Sequence, residues 1–117
     1  MAAIHITESA LSEIRKLVQA TQAKRPVVSV AWQPRQADNK RAGSGESVWT
    51  FVSAGQWVVG VLDYEDPEIR EVFKDFPTEL AYGLEFWARV VGEAGHEVQA
   101  PELDYVGTTF VVRDSAI

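Results

Sequence analysis

The chain has 117 residues, 46% of them hydrophobic and 24% charged, which suits one domain over 1–117 with a core of its own. Seventeen acidic against eleven basic residues leave a net charge of −6, which argues against a nucleic-acid or anionic-membrane partner, because phosphate binding needs clustered Lys and Arg. The absence of cysteine excludes disulfides, thiolate metal ligands and a cysteine nucleophile together.

Residues 3–6 suit a short edge strand. Thr7 or Ser9 can then cap a helix whose apolar positions, Ala10, Leu11, Ile14, Leu17 and Val18, form one stripe at helical spacing. Glu13, Arg15, Lys16 and Gln19 fall on the opposite face. After Pro26, the β-branched run Val27–Trp32 predicts a strand. The stretch 34–46 holds Arg, Gln, Asp, Asn, Lys, Gly and Ser without a large apolar residue, and reads as a solvated loop. Ser47–Ser53 and Gln56–Leu62 read as two strands, with Ala54-Gly55 at the spacing of a tight hairpin between them.

Asp66-Pro67-Glu68 is a helix start: an Asp cap, Pro in the first turn and an acid at the positive end of the dipole. The helix runs to about Phe73, and Pro77 stops any extension. Leu80–Val91 fits two periods. Leu80, Leu84, Trp87 and Val91 make a helical stripe with Thr78 as cap, whereas alternation, Gly83 and the run Phe86–Val91 favour a strand. Gly92–Pro101 reads as loop and Thr108–Arg113 as a final strand. The expected class is therefore α+β: a mainly-β mixed sheet with one amphipathic N-terminal helix and a second short helix.

No apolar run reaches the roughly 18–20 residues that cross a bilayer. The first residues lack a basic segment, apolar core and cleavage site, so a cytoplasmic protein is expected.

The segment Ile4-His5-Ile6-Thr7-Glu8-Ser9-Ala10 opens the chain. Gly83-Leu84-Glu85-Phe86-Trp87-Ala88-Arg89-Val90-Val91 leads, after a loop, to Leu103-Asp104-Tyr105-Val106 and then Phe110. In order and spacing these segments, about half of the chain, resemble the HesB-like domain of A-type iron–sulfur carrier proteins. The resemblance implies a HesB-like scaffold. The family's site is three cysteines, one in a Gly-Cys-Ser-Gly-like turn and two in a Cys-Gly-Cys segment. Here the nearest match to the first is Gly43-Ser44-Gly45, and no cysteine follows Asp114. A serine is a poor substitute for a thiolate that must hold iron, so cluster carriage by the family mechanism is expected to be lost and no cofactor is expected.

Among candidate sites, a metal centre from His5, His96, Glu97 and Asp104 lacks any chelating spacing, and the histidines read better as unliganded. Asp63, Glu65 and Asp66, or Asp104 beside Tyr105, could do acid–base work if held in a cleft, but Asp63–Pro67 already has a capping role. Ser9, Ser44 and Ser115 have no nucleophile-elbow context. Arg35, Lys40 and Arg41 form a basic island able to meet an acidic surface or a small anion, with a solvated loop as the simpler reading. The four tryptophans, Trp32, Trp49, Trp57 and Trp87, all fall in predicted strands. Most suit a buried face, while one or two could serve as exposed anchors.

The expectation is thus a non-enzymatic module that binds an unidentified protein partner through Arg35, Lys40, Arg41, Trp49 and Trp57, with a homodimer left open. The alternatives are a small acidic inhibitor or immunity-type protein, and a small-molecule domain with a carboxylate-lined pocket.

Overall fold

A computed structural model describes residues 4–34, 36–41, 47–53 and 55–115, with backbone alone for 36–41 and 47–53. The chain enters through strand β1 (His5–Ile6) and turns at Thr7 into helix α1 (Glu8–Thr21). Thr7 is the N-cap: its hydroxyl accepts the Ala10 N–H at 3.3 Å, and its carbonyl accepts that of Leu11. The expected stripe faces inward. Ala10 and Ile14 are fully buried, and Leu11 and Val18 pack beside them. Gln22, in the left-handed region at φ 52°, ends the helix.

Strand β2 (Pro26–Gln33) then runs through a sheet that is completed later in the chain. It pairs antiparallel with β5 (Gln56–Asp63) over its whole length and parallel with β7 (Leu84–Trp87), and β7 pairs antiparallel with β6 (Thr78–Ala81), giving the order β5-β2-β7-β6. Val28 and Val30 are buried on one side of β2 and Val27 on the other, so this strand is covered on both faces. A second sheet, β1-β8-β9, sets β1 parallel to β8 (Pro101–Val106), which turns back through Gly107 at φ 65° into β9 (Thr109–Asp114). Helix α1 packs on β8, β5 and β2. Between them lies the core: Ile4, Ile6, Ala10, Ile14, Val28, Val30, Ala81, Phe86, Val90 and Leu103. The class is α+β and mainly β, as the periodicities indicate.

Three local expectations are corrected. The polar stretch 34–46 is not loop throughout: Gln36–Arg41 form strand β3, antiparallel to β4 (Ser47–Ser53). Ladder formation uses backbone groups that polar residues also carry, so the missing apolar alternation concealed it. Ala54-Gly55 does not join a β4–β5 hairpin, because β4 pairs with β3 while β5 pairs with β2. β3 and β4 form a two-stranded sheet of their own, with a register shift between Gln36 and Ala37. Residues 42–46, including Gly43-Ser44-Gly45, lie outside the described residues. Finally, 80–91 is not helix, and its strand is in two pieces that end at Trp87, with Val91 making only an isolated bridge to Glu97. Tyr82 and Gly83 both take positive φ (55° and 77°), the two-residue turn of a tight β6–β7 hairpin.

Helix α2 (Pro67–Val72) begins at Asp66, whose carboxylate accepts the Glu68 N–H at 2.9 Å. Among the described residues, no helix is long and apolar enough to cross a membrane.

Candidate functional site

The segment after α2 gathers aromatic rings. The Phe73 N–H closes the last turn on the Ile69 carbonyl, and the Phe76 N–H then bonds the Phe73 carbonyl, which curls the chain before Pro77. The Pro77 carbonyl accepts the Ala88 N–H at 2.8 Å, docking this curl against the end of β7. Phe76 consequently stacks on Trp87 (centroids 4.8 Å, 28° between planes), and Phe73 leans on both at 5.5 and 5.4 Å.

Trp87 is held from behind. Its indole N–H donates to the Tyr64 hydroxyl at 3.1 Å, and Tyr64 is only 5% exposed. The Arg25 guanidinium lies 5.6 Å from the centre of the Tyr64 ring and reaches Glu85 by two bonds of 3.2 and 2.9 Å, while the Thr78 hydroxyl also donates to Glu85. The Arg25 hydrogen bond leads in lowering the Glu85 carboxyl below its ordinary range, against partial burial, with the Thr78 hydroxyl adding to it.

The opposite side of the cleft is built from β2. Trp32 sits across from Trp57 on β5 and meets it edge to face (5.3 Å, 73°). Two glycines make room for this pair. A Cβ on Gly55 would collide with the Trp32 ring, and one on Gly92 would press on the Trp57 ring at 3.2 Å. Val30 and Ala31 continue the β2 side, Asp75, Phe76 and Pro77 form the rim, and Trp87, Arg89, Val91 and Gly92 close the far side. The cleft is half open to solvent, with a volume of about 500 Å³. Phe76, at 47% exposure, and Val91 remain open to solvent at its mouth. Arg89 points its charge outward into a bidentate pair with Glu97 (3.3 and 3.2 Å), which holds the guanidinium above its ordinary pKa.

Of the residues expected to bind, Trp57 backs this cleft through Trp32. Lys40 and Arg41 lie on β3, opposite Val48 and Ser47, and Trp49 lies on β4 opposite Asn39, in a two-stranded sheet separate from the one that carries Trp32 and Trp57. Arg35 and Ser44 lie outside the described residues. The cleft's other members, Asp75, Phe76 and Arg89, escaped sequence reading. The available signal was Phe73-Lys74-Asp75-Phe76-Pro77, two aromatics one turn apart before a helix-stopping proline.

The candidate acids serve the backbone and the joint between sheets, and none of them lines the cleft. Asp63 accepts the N–H groups of Lys24, Arg25 and Glu65 at 3.0–3.3 Å, which lower its carboxyl, the Glu65 bond foremost. Asp104 ties β8 to the start of α1: it accepts from the Thr7 hydroxyl at 2.7 Å, the Tyr105 N–H at 2.8 Å, the Ser9 hydroxyl at 3.0 Å and Arg113 at 3.1 Å. These bonds, led by Thr7, pull its carboxyl down to about 2. His5 Nδ1 lies 3.3 Å from the Tyr82 hydroxyl, which also accepts the Ile6 N–H. Among the described residues no three His, Asp or Glu side chains gather where they could hold a metal ion.

No family model matches the chain, and neither does any curated protein or solved structure.

Proposed function

We propose that the chain is a non-enzymatic binding module that docks a protein partner in the aromatic cleft between β2 and the Phe76–Trp87 stack. The observation that carries this reading is the cleft's construction. Three aromatic residues and several aliphatic ones line a concavity whose floor reaches the core at Val30, while Phe76 stays half-exposed at its mouth. Burying that surface against a partner is favourable at about 25 cal/mol per Å² of apolar area, and aromatic residues in such settings are typical binding anchors. In this proposal Lys40, Arg41 and Trp49, carried on the β3–β4 pair, contribute a second contact.

The scaffold in this proposal is HesB-like. It is supported by the joining of the two segments that carry the resemblance. Ile6 pairs with Leu103, the Thr7 N–H bonds the Leu103 carbonyl at 3.0 Å, and the Thr7 hydroxyl bonds Asp104. Without a single cysteine the chain has no thiolate for an iron–sulfur cluster, so the proposal assigns it docking alone.

Affinity capture from the native host, comparing the wild type with Phe76→Ser, tests this. Phe76 is exposed, so the variant should fold; the partner is expected with the wild type and strongly depleted with the variant. Equal capture by both proteins would count against the cleft.

A further inference from the structure

The cleft's charges point to a particular guest. Among the described residues Arg89 is the one cation lining the cleft; it is already paired with Glu97 by two hydrogen bonds, and the neighbouring Lys74 is paired with Glu71 at 3.0 Å. Asp75 is the one carboxylate among the described lining residues, and it has no hydrogen bond or ion pair among the described residues. The site therefore offers one uncommitted negative charge beside the rings of Trp32, Phe76 and Trp87. Aromatic faces carry negative electrostatic potential, and tryptophan attracts a cation most strongly. The Trp87 N–H is occupied by Tyr64 and its ring is stacked by Phe76, so the pair presents aromatic surface without a free indole donor.

We infer that the cleft between Trp32 and the Phe76–Trp87 stack receives an alkylammonium group, the lysine or methylated-lysine side chain of a basic partner, with Asp75 as its counter-charge. This rests on the cleft being the docking site and names what docks there. A neutral apolar group would be held by Val30, Pro77 and Val91 without using Asp75. An anion would meet Asp75 and a chain of net charge −6, and would find Arg89 already engaged. A cation gains from the rings, the carboxylate and the long-range field together.

The test uses choline and dimethylbutanol, the analogue in which carbon replaces the quaternary nitrogen, each titrated into the wild-type protein. Binding is read from tryptophan fluorescence and from the indole N–H signals in nuclear magnetic resonance. Choline is expected to bind saturably and about tenfold more tightly than its neutral analogue, as a cation–π contribution of moderate size implies. Asp75→Asn, an isosteric change at an exposed position, should weaken choline severalfold and leave dimethylbutanol unchanged. Equal affinity for the two probes would overturn the inference while leaving an apolar docking cleft intact. Absence of saturable choline binding would also overturn it, and the Phe76→Ser capture experiment then decides separately whether the cleft docks a partner.

Discussion

The hydrogen bond between Trp87 and Tyr64 sets one wall of the cleft, and its worth can be measured. Tyr64→Phe removes the hydroxyl alone and retains the ring that lies beside Arg25. The bond is neutral and of ordinary length, 3.1 Å, and Tyr64 is 5% exposed while Trp87 is half-buried. Leaving a fully buried donor unpaired costs about 1–3 kcal/mol, and water can reach part of this site, so the lower end of about 1 kcal/mol applies. For a domain of this size that lowers the midpoint of thermal unfolding by about 4 °C. Trp87→Phe removes the donor, and the double variant completes a cycle in which the shared bond is lost only once. In urea titrations with unchanged slope, the double variant should therefore be destabilised by about 1 kcal/mol less than the two single variants together. A coupling below about 0.3 kcal/mol would refute the assignment, because the two groups would then be acting independently.

Gly55→Ala places a methyl group against the Trp32 ring, so that ring must swing away from Trp57. A loss of about 1–3 kcal/mol is expected, together with a changed tryptophan exciton signal in circular dichroism; an unaltered signal would contradict the close packing. Asp104 gives a pH dependence. Its folded carboxyl lies near 2, below its ordinary value of 3.8, so its stabilising effect is present above about pH 4 and is lost as the pH falls through 2. The stability gap between the wild type and Asp104→Asn, followed by urea unfolding, should narrow steadily over that window. A gap independent of pH would show that the Thr7 and Tyr105 bonds do not favour the ionised form.

What could be read from the sequence was what local periodicity and end signals encode. The stripe from Ala10 to Val18 names the buried face of α1, and Asp66-Pro67 names the start of α2. Strand β3 was hidden because Gln36–Arg41 pair with β4 through backbone groups, with no apolar rhythm of their own. Strand β8 carries a signal only in its alternation, with Pro101 and Leu103 buried between Glu102 and Asp104. The Tyr82-Gly83 turn was masked because tyrosine at positive φ is an uncommon turn residue, and the surrounding alternation ran straight through it.

The cleft lay beyond sequence reading for a different reason. Trp32, Phe76 and Trp87 come from a central strand, a post-helix curl and a strand paired parallel to the first, so only tertiary packing brings them together. The acids illustrate the converse. Asp63 and Asp104 stood out as possible reactive groups, yet their oxygens are occupied by backbone N–H groups, hydroxyls and an arginine. A carboxylate engaged in that way organises a junction. Asp75, which drew no attention in the sequence, is the acid left available beside the rings.

The central claim, that the cleft is where a partner docks, is tested most directly by photo-crosslinking in the native host. A photoreactive amino acid replaces Val91 at the cleft mouth in one variant, and Leu80, which is 76% exposed and lies outside the cleft lining, in another. The account expects a discrete crosslinked protein from position 91, lost on adding Phe76→Ser, and none from position 80. Equal crosslinking from both positions, or none from position 91, would contradict it.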